Sequence, residues 1–460
     1  MAAIVIVFRL AVLVRIRILP LFYAGFPSSL SFRGLTDIWW VFAVWIFLFY
    51  YEGLYTKRLS FWDEIRALWK VSFFSTVGVF TVLSVGKFGD VMSRTIVVVM
   101  GIISFLLLPL IRIIAKKALR RFGLLKRRVL ILGAGETGKL IVRALRKEPN
   151  YGYEILGFLD DDPEKHGMRI DGIKVHRGID RATEYIKGCN IEDLFIAMPG
   201  AGKERLQGLI NSLQHKVDRI LFVPDIFGIA VTGTNLQHFF HEEAFALEMK
   251  NNLSNLFNIL VKRCFDITVS VLLLPFLSLP MAAIAAMIRL DSKGKAMFSQ
   301  ERVGKKGTLF RCYKFRTMYE DAEEKLDALL NKDQETREEW EKHWKLNDDP
   351  RVTRIGRFLR TTSLDELPQI LNVLKGEMSL VGPRPVTRDE IDLHYKDMAE
   401  LCFCVPPGIT GLWQVSGRSN TSYDYRISLD SWYVRNWNLW LDIVILLKTV
   451  RIVIKREGAY

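Results

Sequence analysis

The chain has 460 residues, more than one hydrophobic core usually organises, which argues against a single compact domain. Half of its residues are apolar and the mean hydropathy is +0.15, so we expect part of the chain to lie in a membrane and part to be soluble. The formal net charge of +14 fits anionic lipid and phosphorylated substrates; nucleic acid would fit the charge as well. The five cysteines lack zinc-ligand spacing and are interpreted as reduced cytosolic thiols.

The first 125 residues are predicted to form three to four transmembrane helices. Arginines interrupt a weaker apolar segment at 3–23, and three longer stretches approach the ~20 residues that a spanning helix needs: 38–54, 69–86 and 94–114. Basic residues after the first and third of these stretches place both flanks, and the chain beyond residue 115, in the cytoplasm. No cleavage site follows the N-terminal segment, so we expect it to stay on the protein.

Residues 126–250 alternate short apolar strands with polar helical stretches, which predicts a Rossmann-like parallel α/β domain. Gly133, Gly135 and Gly138 follow the first strand, and Asp160 ends the next strand, as in a dinucleotide-binding fingerprint. Such glycines let backbone N–H groups approach a pyrophosphate at a helix N-terminus. The alternative is that they only form a tight turn in a domain without a nucleotide.

An uncharged run at 267–288 is long enough to cross a membrane, but it contains Pro275 and Pro280. Each proline removes a backbone donor and favours a sharp kink. Both flanks are basic, which places both ends in the cytoplasm. We therefore predict a re-entrant helix over about 262–290 rather than a simple span.

Adjacent carboxylates at Asp365 and Glu366 follow Arg360 and precede the sequence Gly382-Pro383-Arg384-Pro385. A carboxylate attacks phosphorus when a metal ion and cations neutralise a diphosphate, and Asp365 is the candidate nucleophile. Two prolines flank Arg384 and pre-orient it for bidentate phosphate binding. The alternative is that Asp365 is a helix N-cap and Glu366 a first-turn acid.

Upstream cations extend this candidate site. Arg302 lies in a Gln-x-Arg-x-Gly stretch, and Lys314 and Arg316 lie in Tyr-Lys-Phe-Arg-Thr-Met, where cations alternate with apolar residues. We regard them as weaker phosphate-binding candidates; a solvated basic surface is the alternative.

Residues 255–460 resemble the catalytic domain of the monotopic phosphoglycosyltransferases, the bacterial sugar transferases. The motifs above occur in the family's order and are followed by Pro-Gly-Ile-Thr-Gly-Leu-Trp-Gln-Val-Ser-Gly-Arg at 407–418. The whole layout is similar to the large branch typified by undecaprenyl-phosphate galactose phosphotransferase. The implied fold is an α/β membrane protein with an N-terminal transmembrane helix bundle, a Rossmann-like middle domain and a mainly helical α+β catalytic domain carrying the re-entrant helix.

This resemblance implies transfer of a hexose-1-phosphate from a UDP-sugar to undecaprenyl phosphate, with UMP released, at the bacterial inner (cytoplasmic) membrane. Asp365 matches the nucleophile that forms an aspartyl-phosphosugar intermediate, and Glu366 completes an acidic dyad that helps to hold Mg²⁺. Arg360 and Arg384 match positions near the phosphates, and Pro280, with Ser278 beside it, matches the break in the re-entrant helix. The implied partners are UDP-sugar, undecaprenyl phosphate, membrane lipid and a second copy in a homodimer, with no nucleic acid.

Two departures from the family pattern are present. Pro406 stands where many members have a basic residue, and arginines interrupt the first membrane segment within residues 1–34. The C-terminal sequence, including the ending Gly-Ala-Tyr, leans towards galactose-1-phosphate, while glucose-specific relatives share the catalytic motifs. The product would start O-antigen, capsule or exopolysaccharide synthesis.

Two other classes of function compete with this reading. A membrane-tethered nicotinamide-dependent dehydratase or epimerase would need a Tyr-x-x-x-Lys pair, which is not found within 129–250. A non-catalytic membrane scaffold that senses a nucleotide through the middle domain would not need the Asp365–Glu366 dyad. The retained dyad therefore favours the enzyme.

Overall fold

The computed structural model describes the chain in nine ranges: 1–23, 38–87, 92–225, 235–239, 244–248, 252–253, 255–332, 349–417 and 422–455. Arg418 of the family motif, the terminal Gly-Ala-Tyr and residues 24–34 lie outside these ranges. The chain divides into two compact units, Met1–Ile226 and Phe227–Tyr460. Residues 1–125 and most of 126–250 lie in the first unit, and 255–460 lies in the second. The division into 1–125, 126–250 and 255–460 stays a prediction.

The first unit begins with apolar helices. Helix α1, Ala2–Leu13, continues through a π-helical turn, Val14–Ile18, and a short helix, Leu19–Phe22. Three further helices follow: α2 Trp39–Tyr51, α3 Phe61–Val85 and α4 Arg94–Arg121. A shared apolar core joins these helices, with Val7, Trp45, Leu68 and Met100 among its buried members. Of these four helices, α3 and α4 are long and apolar enough to cross a membrane.

The membrane helices differ from the predicted spans at their starts and lengths. Helix α3 begins eight residues before the predicted span at 69, because Ser60 caps it by accepting a hydrogen bond from the Asp63 backbone N–H at 3.2 Å. Helix α2 covers only Trp39–Tyr51 of the predicted span 38–54, since Gly53 adopts φ = 74° beyond its C-terminus. Its 13 residues are fewer than the ~20 needed to cross a bilayer alone.

A mostly parallel sheet follows, with helices that carry the chain between its strands. The strand order is β3-β4-β2-β1-β5-β6, and only the β3–β4 pair is antiparallel. The bounds are β1 Arg127–Leu132, α5 Glu136–Lys147, β2 Tyr153–Asp160, β3 Arg169–Ile170, β4 Ile173–Arg177, α6 Ala182–Cys189, β5 Asp193–Ile196, α7 Lys203–Leu213 and β6 Arg219–Phe222. Apolar clusters cover both faces, as a parallel sheet requires. The predicted Rossmann-like arrangement is present, with two additional strands, β3 and β4, that were not predicted from the sequence.

Polar contacts join the sheet to the membrane helices within this unit. Glu64 of α3 is only 5% exposed, and its carboxylate accepts hydrogen bonds from Arg112, from Lys116 at 2.7 Å and from Asn150 at 2.7 Å. Arg112 and Lys116 belong to α4, whereas Asn150 lies just before β2. A buried carboxylate held by three donors ties these elements together, which explains why they form one compact unit.

The second unit contains residues 255–460, the region that resembles a sugar transferase catalytic domain. It contains two antiparallel hairpins, one short parallel strand pair and several helices. The bounds are β7 Asn235–Phe239, β8 Ala244–Glu248, α8 Leu256–Asp291, β9 Met297–Val303, β10 Leu309–Phe315, α9 Ala322–Lys332, α10 Arg354–Thr362, α11 Ile370–Lys375, β11 Ser379–Val381, α12 Arg388–Glu390, α13 Ala399–Cys402, β12 Gly408–Thr410, α14 Tyr423–Arg435 and α15 Leu439–Lys455. The mainly helical α+β character agrees with the expected one.

Helix α8 packs on the rest of this unit at both of its ends. Near its start, the Lys262 ammonium is buried and donates to Asp442 at 2.7 Å and to the Val381 carbonyl at 3.0 Å. Near its end, Ile284 and Ile288 pack against Phe315 of β10 and Leu359 of α10. Between these contacts the apolar side chains are exposed, including Leu272, Phe276 and Leu279. The exposed middle is the part suited to lipid.

Candidate functional site

The carboxylate pair lies in a single 3₁₀ turn, Leu364–Gln369, between α10 and α11. Ser363 precedes it with φ = 56°, a left-handed conformation that ends α10 and reverses the chain. Ser363 is the N-cap residue of the turn, and no side chain caps it. Asp365 is therefore not an N-cap, and the alternative explanation of this carboxylate as a helix cap does not apply.

Two cations hold Glu366. Its Oε1 atom accepts a hydrogen bond from the Lys314 ammonium at 2.8 Å and from the Arg384 guanidinium at 3.3 Å. Lys314 comes from β10, and Arg384 comes from the Pro-Arg-Pro turn after β11. The fold thus brings together four of the predicted site residues: Asp365, Glu366, Lys314 and Arg384.

Buried polar contacts fix the elements that carry these residues. The Asn372 side chain of α11 is fully buried and bonds to the β10 backbone on both sides of Cys312, at the Tyr313 N–H (3.1 Å) and the Arg311 carbonyl (2.8 Å). Gly356 lets α10 approach the segment just after β10, because a Cβ there would lie 2.0 Å from the Thr317 carbonyl oxygen. Rigid elements therefore present the carboxylates and cations to one another.

Arg360, like Gly356, contacts Thr317 just after β10. Its Nε donates to the Thr317 hydroxyl at 3.0 Å, and its charge acts on Asp365 without a direct hydrogen bond to that carboxylate. Burial lowers the pKa of Arg360, which nevertheless stays charged. Arg360 thus lies near the carboxylate pair as an electrostatic neighbour.

The two carboxylates have opposite electrostatic environments. Burial, with the adjacent Glu366 charge, raises the pKa of Asp365 to about 6. Burial would also raise the pKa of Glu366, but Arg384 and Lys314 outweigh it and lower that pKa to about 2. The cations therefore favour the charged form of Glu366, whereas burial beside that charge makes Asp365 the more basic and more nucleophilic member.

Arg316 and Arg302, both predicted as phosphate candidates, have other partners. The Arg316 guanidinium bonds to the carbonyl groups of Ser292 and Lys293 just after α8. Arg302 pairs with Glu390 at 3.0 Å and with Gln300 at 2.8 Å. Arg316 therefore secures the end of α8, and Arg302 belongs to a neighbouring cluster around Glu390.

The donor set suits a hard divalent cation such as Mg²⁺. Across the described ranges, no hydrogen bond reaches Glu366 Oε2 or either carboxylate oxygen of Asp365. The described residues contain no group of three or more His, Cys, Asp or Glu side chains that could enclose a metal ion. Mg²⁺ commonly binds through one or two carboxylates, waters and substrate phosphates, and this pair fits that pattern.

The glycine turn of the sheet domain has a structural explanation. Gly133 adopts φ = 98°, and a Cβ at Gly138 would lie 2.3 Å from the Gly133 carbonyl oxygen, so both glycines are needed for the turn itself. Gly135 faces open space. The Asp160 carboxylate accepts the Ala134 N–H at 2.7 Å, so it braces the turn from within. These contacts account for the motif without a nucleotide.

Helix α8 runs through Pro275 and Pro280 as one continuous helix of 36 residues. The Ser278 hydroxyl donates to the Pro275 carbonyl at 2.8 Å, inside the segment that the prolines weaken. At ~1.5 Å per residue the helix is about 54 Å long, well beyond the ~30 Å of a hydrocarbon core.

Sequence reasoning missed a buried cluster behind Arg384. Asp430 of α14 is 1% exposed, accepts the Tyr395 hydroxyl at 3.1 Å and bonds to the Arg384 backbone. Arg426, one turn earlier, lies 4.8 Å from the Trp413 ring, and Arg384 lies 5.9 Å from the same ring. The sequence offered no distinct signal for Arg426 and Asp430, because α14 carries further charged and polar residues at Asp424, Ser428, Ser431 and Arg435.

Fold and site together define a membrane-bound transferase with a cation-held carboxylate pair. Residues 257–456 match the family model described as bacterial sugar transferase, and 49–224 match a CoA-binding domain. An undecaprenyl-phosphate galactose phosphotransferase of Salmonella typhimurium is 36% identical over 88% of this chain and 84% of its own length. The chain belongs to the bacterial sugar transferase family.

Other similarities are weaker or differ in the sugar named. A UDP-glucose:undecaprenyl-phosphate glucose-1-phosphate transferase of Klebsiella pneumoniae is 32% identical over 83% of this chain and 79% of its own length. The solved structure of UDP-D-quinovosamine 4-dehydrogenase from Vibrio fischeri covers 22% of this chain and 80% of its own, at 30% identity. Its TM-score of 0.20 is too low to inform the fold.

Proposed function

We propose that this protein transfers a hexose-1-phosphate from a UDP-sugar to undecaprenyl phosphate at the cytoplasmic membrane, as a first membrane step in polysaccharide synthesis. The observation that carries the proposal is the Asp365–Glu366 pair, in which Lys314 and Arg384 hold one carboxylate and leave the other without a hydrogen-bond donor. A related protein of 36% identity bears the name of this activity.

The reaction follows from these roles in two displacements. An Asp365 carboxylate oxygen attacks the β-phosphorus, the bond from that phosphorus to the bridging oxygen breaks, and UMP leaves with the electron pair. An oxygen of the lipid phosphate then attacks the same phosphorus and displaces Asp365, which forms a lipid diphosphate sugar. Lys314 and Arg384 stabilise charge on the phosphate oxygens and keep Glu366 ionised.

Asp365 and Glu366 Oε2 are the atoms that would hold Mg²⁺ together with the diphosphate. The ion would supply Lewis-acid charge neutralisation at the phosphates. The protein's own part is to present the two carboxylates side by side on one rigid turn.

Product analysis tests the proposed function. Purified protein in nanodiscs receives Mg²⁺, undecaprenyl phosphate and either UDP-galactose or UDP-glucose. We expect lipid-dependent UMP release with galactose preferred; a clear preference for glucose would correct the sugar. Release of UDP would contradict phosphosugar transfer, and no release with any UDP-sugar would favour a nucleotide-sensing scaffold.

We also propose that α8 is re-entrant, so that both its ends face the cytoplasm. The contacts of Lys262 at one end and of Ile284 and Ile288 at the other join the same compact unit, which supports this topology. A spanning helix would separate those contacts across the bilayer. The basic flanks at both ends agree.

Cysteine labelling tests this topology. In a variant without the five native cysteines, Asn255→Cys and Lys293→Cys should both react with a membrane-impermeant thiol reagent in inverted vesicles and stay unlabelled in intact spheroplasts. Lys87→Cys, in the loop between α3 and α4, is the control of opposite sidedness. Labelling of Lys293→Cys in intact spheroplasts would show that α8 spans the membrane.

A further inference from the structure

Arg426 is a buried cation without a full set of partners. It is 7% exposed, and its Nη1 atom donates to the Tyr423 hydroxyl at 3.0 Å. Its Nε and Nη2 atoms have no hydrogen-bond partner among the described residues. Since a buried guanidinium normally satisfies its donors, this one needs an explanation.

Aromatic rings take the place of those partners. The guanidinium carbon of Arg426 lies 4.8 Å from the Trp413 ring centroid and 4.9 Å from that of Tyr423. Cation–π contacts of this kind stabilise the cation without neutralising it. The charge therefore remains available to act on groups nearby.

One carboxylate serves two cations in this cluster. Glu390 pairs with Arg302 at 3.0 Å and lies 3.8 Å from Arg426. Asp430 also attracts Arg426, but its hydrogen bonds go to Tyr395 and the Arg384 backbone. Among the described residues, the carboxylate within ion-pair distance of Arg426 is that of Glu390, and Arg426 shares it with Arg302.

The cluster adjoins the carboxylate pair through Trp413. Arg384, which binds Glu366, also lies 5.9 Å from the Trp413 ring. Both arginines thus contact the same indole, and Arg384 also contacts the Glu366 carboxylate. Charges in such a low-dielectric setting act over longer distances than in water.

We propose that Arg426 is a positioning residue whose buried charge retains a phosphate monoester beside Asp365. The inference rests on the proposed function, in which two phosphate monoesters use this site: the UMP that leaves and the lipid phosphate that enters. Arg426 acts through Trp413 and Arg384 and contributes electrostatic attraction rather than a direct contact. Its role is to hold a phosphate, not to transfer it.

Removing the cation and removing the anion should change the affinity for UMP in opposite directions. General structural damage would lower the affinity in both cases. Arg426→Met removes the cation and should weaken UMP binding about tenfold, whereas Arg426→Lys keeps the charge and should bind within about threefold of the parent. Glu390→Gln removes the shared anion while keeping the shape, so it should tighten UMP binding. Arg388→Met removes an exposed arginine of the same region and should change nothing.

The measurement is equilibrium binding of labelled UMP to the full-length protein in nanodiscs at low ionic strength, which needs no turnover. It remains informative if the parent protein lacks transferase activity, so failure of the proposed function is seen separately. The KM for undecaprenyl phosphate distinguishes the two phosphate sources. A change in UMP affinity would show that the Arg426 charge retains the leaving UMP, and a change in that KM would show that it retains the incoming lipid phosphate.

The inference is overturned if Glu390→Gln weakens UMP binding or leaves both constants unchanged. Equal losses in Arg426→Lys and Arg426→Met would also overturn it, because shape rather than charge would then matter. If Arg426→Met does not fold, Arg426→Lys and Glu390→Gln still decide the outcome.

Discussion

Replacing Asp365 with Asn should lower the rate of lipid-dependent UMP release by at least about 10⁴-fold. The amide keeps the shape of the side chain but cannot form the acyl-phosphate, so the first displacement has no nucleophile. No labelled phosphosugar should remain on the variant after it is mixed with UDP-sugar labelled in the sugar and denatured. The parent protein should retain that label until undecaprenyl phosphate is added.

The matched control is Asp389→Asn, which changes an exposed aspartate of the same unit and should leave turnover within about twofold. Both variants should be extracted from membranes in equal amounts, because Asp365 makes no hydrogen bond that the fold needs. Turnover of the Asp365→Asn protein above about 1% of the parent would rule out Asp365 as the nucleophile.

Much of the fold was predictable because periodicity and charge are local signals. The strands of the sheet and the long apolar helices follow from runs of residues read in order. The joining of the membrane helices to the sheet did not, since Glu64 and Asn150 are 86 residues apart and neither is unusual in its own segment. Contacts of this kind depend on tertiary approach, which one sequence does not encode in any short window.

The candidate site divides in the same way. The motif Ser-Leu-Asp-Glu-Leu-Pro drew attention to Asp365 and Glu366, yet their different acidities depend on Lys314 and Arg384, which arrive from other elements. Arg316 lies in the same Tyr-Lys-Phe-Arg-Thr-Met stretch as Lys314 but just after β10, and it secures the end of α8. Strand alternation explains neither outcome, because Lys314 and Arg316 are two residues apart and the strand ends between them, at Phe315.

Replacing Lys262 with Met should destabilise the second unit by about 3–5 kcal/mol, because it leaves the Asp442 carboxylate buried without its cation. The Asp442 side chain is 0% exposed, and among the described residues only Tyr433 at 2.7 Å and Trp437 at 3.1 Å would still donate to it. The temperature of half-inactivation in detergent should fall by on the order of 10 °C. Lys295→Met, at an exposed lysine just after α8, should leave it nearly unchanged.

The same pair connects α8 to the site, so activity should change with stability. Lys262 also donates to the Val381 carbonyl, the last residue of β11 before the turn that carries Arg384. Adding Asp442→Leu to Lys262→Met removes the stranded carboxylate and should recover part of the lost stability, because replacing both members of a buried ion pair costs less than removing one. The double variant should nevertheless turn over more slowly than the parent, since the Val381 carbonyl loses the charged Lys262 donor and keeps only the hydroxyl donors of Tyr433 at 3.0 Å and Ser379 at 2.9 Å. Equal stability of Lys262→Met and the parent would show that the buried pair does not hold α8 in place.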